Sequence, residues 1–310
     1  MARIPKIEPS DELIDRAFKK AKKVDDPNKK KKAIKKIQTV RKTIDSYLNQ
    51  YVKSFPSFDN LHPLYYELID VSVGIDGLKK SLGAIDWARE KCDTISGMYI
   101  KKIRKGEDCE NMVKSAYGRI SSIIHRVSKD LEHLEEARKK IRNMPSIEIG
   151  LPTAVMVGYP NVGKSSLLRR LSQAKPKIAP YPFTTTGLVL GHFSVTRKYT
   201  DHKIQVVEAP GLLDRPISRR NKVERQAMAA IYHLANLIVF VIDPTQYCGY
   251  TTEEQYNLLE NIKNEISLPI IVVENKSDIY RSDRECLKVS CESGEGIFEL
   301  KDEIIKNLGV

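Results

Sequence analysis

The sequence lacks long apolar runs and is poor in cysteine, and each shortage excludes a class of protein. No stretch approaches the roughly 18 consecutive apolar residues of a membrane-spanning helix, so we expect no membrane partner. The polar, lysine-rich start does not resemble a secretory signal. The 310 residues include five cysteines without a Cys-x-x-Cys pair and six scattered histidines. Zinc sites and disulfide frameworks are therefore disfavoured, and reduced thiols in a cytoplasmic protein are expected.

Positive charge is abundant but unevenly distributed. The chain carries 52 Lys and Arg against 40 Asp and Glu, a net charge of +12. Residues 1–150 hold 32 basic and 22 acidic residues, a net charge of +10, whereas residues 151–310 hold 20 and 18, a net charge of +2. The asymmetry points to an anionic partner for the first half. A lysine-rich helical surface without any partner would give the same balance.

Apolar residues in the first half recur at helical spacing. Four such stripes cover residues 13–24, 34–55, 64–103 and 113–141, and Gly74 and Gly77 weaken the third. Long amphipathic helices need partners for their apolar faces, so we predict that residues 1–150 form a basic, all-α helical bundle. We find no catalytic constellation among these helices, and the single tryptophan, Trp87, is expected in the core.

The second half changes to short β-branched runs separated by helical patterns. Predicted strands cover residues 154–157, 188–195, 203–207, 237–242, 270–273 and 287–289, and predicted helices cover residues 163–173, 224–233, 252–264 and 296–308. This alternation predicts an α/β domain over residues 151–310, with a mostly parallel sheet and helices on both faces. Residues 143–152, which include two prolines, are the predicted linker.

A complete phosphate-binding loop pattern, G-x-x-x-x-G-K-[ST], lies between a predicted strand and a predicted helix. It reads Gly158-Tyr159-Pro160-Asn161-Val162-Gly163-Lys164-Ser165, with Ser166 next in the helix. Backbone N–H groups of such a loop and the following helix N-terminus bind phosphate oxygens. Lys164 is expected to reach the β- and γ-phosphates, and the Ser165 hydroxyl to bind Mg²⁺. The alternative is a glycine-rich turn with a chance lysine.

The run Asn-Lys-Ser-Asp at 275–278, directly after a predicted strand, indicates which base is bound. Asp278 can accept both the ring N–H and the exocyclic amine of guanine, whereas adenine would leave this carboxylate partly unpaired. Lys276 can lay its stem against the base plane, and Asn275 can brace the neighbouring loops. Backbone donors near Ser290 and Cys291 are expected to complete the pocket. The sequence therefore predicts binding of GTP and GDP.

Two further segments have the composition of nucleotide-sensing switches. Residues 181–187 read Tyr-Pro-Phe-Thr-Thr-Thr-Gly, and any of the threonines 184–186 could bind Mg²⁺ through its hydroxyl. The same segment could be an ordinary polar loop. In the second segment, Glu208 is expected to hold Mg²⁺ through water, and the Gly211 N–H to sense the γ-phosphate. Loss of that phosphate would release both segments, which is an order–disorder switch.

These four motifs, in this order, resemble the GTPase domain of the translation-factor class, and Asn161 and the Tyr-Pro-Phe-Thr-Thr string are similar to its Obg-related branch. A basic helical domain before such a domain, together with Gly-Leu-Leu-Asp-Arg-Pro at 211–216, resembles the nucleolar GTP-binding (Nog) family in a compact archaeal-type form. The resemblance implies hydrolysis of GTP to GDP and phosphate, Thr185 as the Mg²⁺-binding threonine, and a role in large ribosomal subunit assembly. A signalling-type GTPase with a protein-binding helical platform and no RNA contact is the alternative.

Two positions depart from the usual GTPase pattern. Glu208 stands where the motif has aspartate, and its extra methylene is expected to shift or weaken the Mg²⁺ contact. Leu212 occupies the position of the glutamine that orients water in Ras-like enzymes, so hydrolysis is expected to be slow without K⁺ or a partner. In related GTPases an asparagine at the position of Asn161 helps to bind K⁺ beside the phosphates, although here it could merely brace the loop. The predicted catalytic residues are Asn161, Lys164, Thr185 and Gly211.

The densest basic run is Lys29–Lys32, with Lys35 and Lys36, on the polar side of a predicted helix. Together with the charge asymmetry and the resemblance, it favours phosphate contact with ribosomal RNA or the large ribosomal subunit precursor. A solvated helix start is the alternative. Since no aromatic RNA-reading signature is present, we expect recognition of shape and backbone.

Overall fold

The computed structural model describes residues 4–144, 147–179, 181, 187–197, 200–209, 228 and 231–310. The chain forms two compact units. The first comprises Met1–Asn60 and Val73–Asn143, and the second comprises Leu61–Ser72 and Met144–Val310.

The first unit is built from amphipathic helices, as the stripes predict. These are α1 (Ser10–Lys22), α2 (Lys29–Ser54), α4 (Ile75–Arg104), α5 (Cys109–Arg126) and α6 (Ser128–Arg142), while α3 (Pro63–Val73) falls almost wholly in the second unit. Side-chain caps fix two helix starts, because Asn28 and Asp108 each accept a hydrogen bond from the backbone N–H three residues later,. Fully buried residues such as Ile37, Leu48 and Leu78 form the apolar faces. The all-α prediction for this part of the chain is confirmed.

Two helix breaks interrupt the stripes, of which only the second has no signal in the sequence, and one exposed side chain differs from the sequence expectation. The stripe at 64–103 is interrupted at Gly74, whose φ of +87° ends α3 and begins α4. The stripe at 113–141 is interrupted at Val127, which stays buried, so its apolar periodicity does not reveal the break. The expectation of a buried Trp87 was wrong. Its ring is 37% exposed, and the Arg126 guanidinium lies 5.8 Å from the ring centroid.

The second unit contains a seven-stranded sheet of order β2-β3-β4-β1-β5-β6-β7. The strands are β1 (Thr153–Val157), β2 (Lys177–Ala179), β3 (Leu188–Arg197), β4 (Thr200–Glu208), β5 (Leu237–Ile242), β6 (Ile270–Glu274) and β7 (Leu287–Lys288). Strands β4, β1, β5, β6 and β7 pair in parallel, whereas β2, β3 and β4 pair antiparallel. The fold class, a mostly parallel sheet with helices, is confirmed.

Burial and register of the central strands place the loops that carry the motifs at one edge. Every residue of β1 and β5 is buried, as expected for strands covered on both faces,. The helices packed on the sheet include α7 (Lys164–Leu171), α8 (Thr252–Glu265) and α9 (Ile297–Leu308). Because Met156 pairs with Glu208, and Val157 with Phe240, the carboxyl ends of β1, β4 and β5 align. Ligands of open α/β sheets bind at this edge.

Helix α3 belongs to the second unit, which the sequence did not indicate. Leu64 and Leu68 are fully buried in the same apolar cluster as the strands β1 and β5. The Tyr65 hydroxyl accepts a hydrogen bond from the Ile147 N–H at 3.1 Å and lies 3.4 Å from the Ile147 carbonyl oxygen. The predicted helix at 224–233 lies largely outside the described residues. A division into two domains at residue 150 stays a prediction.

In the part of the chain that the structure describes, no helix is both long and apolar enough to span a bilayer. All five cysteines are free thiols.

Candidate nucleotide-binding site

The phosphate-binding loop connects the end of β1 to the start of α7, and two of its glycines are required by the surrounding structure. Gly158 has φ +145°, and a Cβ there would overlap the Val241 carbonyl oxygen. Gly163 has φ +100°, and a Cβ there would overlap the Asn275 side-chain nitrogen. Both positions combine a left-handed backbone with close approach, which only glycine tolerates. The loop is therefore set tightly against β5 and the base motif.

Lys164 lies inside this loop. Its Nζ donates hydrogen bonds to the carbonyl oxygens of Gly158, at 2.8 Å, and Tyr159, at 2.7 Å. The side chain is only 6% exposed. Asn161 is exposed at the tip of the loop with φ +63°. The ammonium group is thus held where the sequence predicts that phosphates bind.

Ser165 and Glu208 meet at the start of α7. The Ser165 hydroxyl donates to Glu208 Oε1 at 3.0 Å, and Glu208 is 3% exposed. Among the described residues, Glu208 Oε2 has no hydrogen-bond partner. Burial raises the pKa of Glu208, while the hydrogen bond from Ser165 and the charges of Lys164 and Arg169 act in the opposite direction.

This pair has the donor set of a magnesium site. A hard divalent cation prefers carboxylate and hydroxyl oxygens, and it would provide the charge that the buried Glu208 carboxylate needs. Magnesium is typically held by one or two protein groups together with phosphates and water. Ser165 and Glu208 therefore fit Mg²⁺, with glutamate in place of the usual aspartate.

Asn275 ties the two sides of the site together. Its side chain donates from Nδ2 to the Val162 carbonyl oxygen at 2.9 Å, and its Oδ1 accepts a hydrogen bond from the Cys291 N–H at 3.4 Å. Its own N–H donates to the Ile242 carbonyl oxygen at 2.9 Å. Through its side chain and its backbone N–H, this one buried residue joins the phosphate-binding loop, the end of β5 and the loop at 290–292.

The other predicted base-site residues lie beside Asn275. Lys276 adopts φ +63° and Asp278 is exposed. Ser290 is fully buried, and its hydroxyl accepts hydrogen bonds from the N–H groups of Glu292 and Ser293 at 3.2 and 3.1 Å, which shapes the turn. Burial raises the pKa of Cys291 to about 11, and the charge of Asp278 also raises it. The structure brings these residues to the same edge as Lys164.

Several residues that support the site were missed from the sequence. Arg170 of α7 donates to the Cys291 and Glu292 carbonyl oxygens at 2.7 and 2.9 Å. The Tyr159 ring of the phosphate-binding loop stacks on Tyr250 with centroids 4.0 Å apart. Asp243 follows β5 directly and contacts Lys276. Its position after a buried strand, at the edge that carries the other motifs, was the available signal.

The remaining predicted residues either lie outside the described part of the chain or lie in and beside the phosphate-binding loop. Thr185 and Gly211 lie outside the described residues, as does Leu212. Pro160 is half-buried in the loop, and Ser166 is exposed in the first turn of α7. The individual roles of all these residues in nucleotide binding stay predictions.

Comparisons with known proteins match both parts of the chain. A family model described as the NOG1 N-terminal helical domain matches residues 1–148, and the model described as nucleolar GTP-binding protein 1 (NOG1) matches residues 222–278. An uncharacterized protein of Methanocaldococcus jannaschii is 38% identical over 91% of this chain and 82% of its own length. Nucleolar GTP-binding protein 1 of Saccharomyces cerevisiae is 30% identical over 98% of this chain and 51% of its own length.

A solved structure also matches part of the chain. The crystal structure of a Plasmodium falciparum protein, assigned as nucleolar GTP-binding protein 1, covers 54% of this chain and 90% of its own at 30% identity, with a TM-score of 0.46. The chain spans about half the length of the yeast relative, and more of the archaeal one.

Proposed function

This chain belongs to the nucleolar GTP-binding protein 1 family, and from that premise we propose that it binds guanine nucleotides with Mg²⁺ and hydrolyses GTP to GDP and phosphate. The main support for this proposal is the position of Asn275. At the carboxyl edge of the sheet, Asn275 connects the loop that holds Lys164 to the loops that hold Asp278 and Cys291. The proposed phosphate-binding side and the proposed base-binding side are therefore linked through one residue.

Each side of the proposed site has a distinct task. Backbone N–H groups of the loop at 158–163 and of the first turn of α7 bind phosphate oxygens, and the Lys164 ammonium neutralises their charge. Ser165 and Glu208 would hold Mg²⁺, which would supply positive charge to offset the negative charge of the phosphates. Thr185 and the Gly211 N–H are the proposed sensors of the γ-phosphate.

The base side of the site is tested by replacing one hydrogen-bond acceptor of Asp278, a carboxylate oxygen, with the donor group of an amide. Asp278→Asn should lose most affinity for GDP, because an amide cannot accept from both N–H groups of guanine. The same change should favour xanthosine diphosphate, whose carbonyl replaces the exocyclic amine and accepts from the amide. Asp283→Asn, also exposed after β6, is the matched control. GDP binding that is equal in wild type and Asp278→Asn would contradict the assignment.

For hydrolysis, we propose K⁺ stimulation that depends on Asn161. Leu212 cannot hydrogen-bond an attacking water, so charge stabilisation must come from another source. The exposure of Asn161 in the phosphate-binding loop supports the proposal that it helps to hold a monovalent cation beside the phosphates. GTP hydrolysis should be faster in KCl than in NaCl for the wild type, and Asn161→Ala should remove the difference. Equal wild-type rates in both salts would refute this part.

We also propose that the first unit contacts ribosomal RNA of the large subunit precursor, in the cytoplasm. The start of α2 and the end of α4 adjoin, because Lys30 Nζ donates to the Arg104 carbonyl oxygen at 2.8 Å. The basic residues of these two segments therefore form one surface, which we name the basic end: Lys29, Lys30, Lys31, Lys101, Lys102, Arg104 and Lys105. Within the sequence run, Lys32 and Lys35 already pair with Asp25 and Asp26 at 2.6 and 2.7 Å. These pairs move the expected contact towards α4.

Charge reversal at two places on and next to α4 distinguishes a contact made by the basic end from a general effect of positive charge. Lys101→Glu/Lys105→Glu changes the basic end, whereas Lys80→Glu/Lys91→Glu makes the same change in charge elsewhere on α4. The first variant should lose co-sedimentation with large-subunit particles, and the second should retain most of it. Affinity should fall with salt at a log–log slope of about 0.7–0.9 per neutralised phosphate. Capture of proteins without ribosomal RNA would favour the signalling alternative.

A further inference from the structure

Asp243 is a fully buried carboxylate next to the base motif. It follows the last residue of β5 and has 0% exposure. Its Oδ2 accepts hydrogen bonds from Lys276 Nζ at 2.5 Å and from the Cys248 N–H at 2.9 Å. Its Oδ1 accepts hydrogen bonds from the Thr245 N–H at 3.0 Å and hydroxyl at 2.5 Å. Both oxygens are thus satisfied by one cation and three neutral donors.

The backbone of Asp243 is fixed as firmly as its side chain. Gln255 of α8, itself 1% exposed, accepts from the Asp243 N–H at 2.7 Å and donates to the Asp243 carbonyl oxygen at 2.9 Å. Burial alone would raise the pKa of Asp243, but the hydrogen bonds from Lys276 and Thr245 outweigh it and lower that pKa below its ordinary value. The carboxylate is therefore a rigid, charged anchor.

The anchor acts on Lys276, whose neighbours Asn275 and Asp278 belong to the proposed base site. The Lys276 ammonium is held by Asp243, while the backbone is held at φ +63° next to Asn275. The exposed Tyr247 ring lies 5.9 Å from the ammonium. With both ends fixed, the four-carbon stem of Lys276 has little freedom.

We propose that Asp243 is a positioning residue for purine recognition: it fixes Lys276 so that the lysine stem forms one wall of the guanine pocket before the nucleotide arrives. This assignment rests on the guanine-nucleotide binding proposed for the chain. The opposite role is that Asp243 withholds Lys276 from the nucleotide, and it predicts tighter binding when the carboxylate is removed.

The size of the effect follows from side-chain ordering. Immobilising a flexible side chain at a binding surface costs up to about 1.5 kcal/mol, which corresponds to about tenfold in affinity. Asp243→Asn, which removes the negative charge that holds the Lys276 ammonium and replaces one acceptor oxygen with an NH₂ donor, should therefore weaken GDP binding about tenfold. GTP should weaken by the same factor, because the change acts on the base side and leaves the phosphate contacts intact.

The experiment is a double-mutant cycle on the full chain, with GDP and a non-hydrolysable GTP analogue titrated by calorimetry. Lys276→Met keeps the length of the stem and removes the ammonium. If Asp243 acts through Lys276, the double variant should lose no more than either single variant, about tenfold. Thr245→Ala removes one donor to the other oxygen of the same carboxylate, and it should bind GDP within about twofold of wild type.

The outcomes are distinguishable. Wild type that does not bind GDP would overturn the proposed function itself. Wild type that binds, with unchanged or tighter binding by Asp243→Asn, would overturn the positioning role, as would additive losses near one hundredfold in the double variant. A change in the ratio of GDP to GTP-analogue affinity would also overturn it. Should Asp243→Asn fail to fold, unchanged GDP affinity of Lys276→Met would be sufficient to reject the role.

Discussion

Gly163→Ala tests whether the phosphate-binding loop and the base motif depend on one another. The added Cβ would overlap Asn275 Nδ2 and would sit on a backbone with φ +100°. The left-handed backbone costs about 1–2 kcal/mol. Displacing Asn275 from the Val162 carbonyl oxygen costs about 0.5–1.5 kcal/mol more. Together, about 1.5–3.5 kcal/mol predicts GDP binding that is roughly 10- to 400-fold weaker.

Gly106→Ala is the control for this prediction. Gly106 has φ +102°, almost the same φ as Gly163, but no heavy atom of a non-neighbouring residue lies within 4 Å of its added Cβ. It lies in the first unit, between α4 and α5. Both variants should unfold at lower denaturant concentration than wild type, but only Gly163→Ala should lose GDP affinity in calorimetric titration. Equal GDP affinities of Gly163→Ala and wild type would refute the coupling through Asn275.

Three further predictions follow from buried or bridging side chains. Burial raises the pKa of Glu208 above its ordinary 4.5, so stability of the magnesium-free chain should fall as pH rises through the folded-state pKa. In the absence of magnesium at pH 7.5, Glu208→Gln should therefore have a higher melting temperature than wild type. It should not show the further rise that MgCl₂ with GDP gives the wild type. A lower melting temperature of Glu208→Gln without magnesium would contradict this. Leu68→Ala should destabilise the second unit by about 2–5 kcal/mol in urea unfolding, whereas no loss would mean that α3 does not contribute to its core. Arg170→Met should speed GDP release a few-fold, measured by displacement of a fluorescent GDP, and an unchanged rate would remove the role of its two carbonyl contacts.

The sequence was sufficient for the fold class because its signals are local. Buried strands such as β1 and β5 are continuous apolar runs, and the glycine pattern at 158–163 specifies its own backbone. The edge strand β2 was missed because it has only three residues, none of them buried. Such a segment has no apolar pattern for periodicity to detect.

The partner of an apolar face is a tertiary property, and there the sequence was insufficient. The stripe at Leu64 and Leu68 predicts a buried helix face, but nothing local shows that this face packs on the sheet of the second unit. Trp87 shows the opposite case. Its large aromatic side chain is apolar, yet it lies partly exposed beside Arg126.

The candidate site likewise contains residues that local sequence predicts and residues that it does not. Lys164, Ser165 and Asn275 were predicted because each lies in a short contiguous motif. Asp243 was missed because its significance depends on contact with Lys276, which is 33 residues away in the chain. Buried ion pairs between loops require the register of the strands that carry them, and motif spacing does not supply it.

The most direct test of the central claim is equilibrium binding of GDP and of ADP to the full chain with MgCl₂. Because the Asp278 carboxylate matches the hydrogen-bond donors of guanine and not those of adenine, GDP should bind at least about one hundredfold more tightly than ADP. Comparable affinities for the two nucleotides, or binding of neither, would contradict the account of this edge of the sheet as a guanine-nucleotide site.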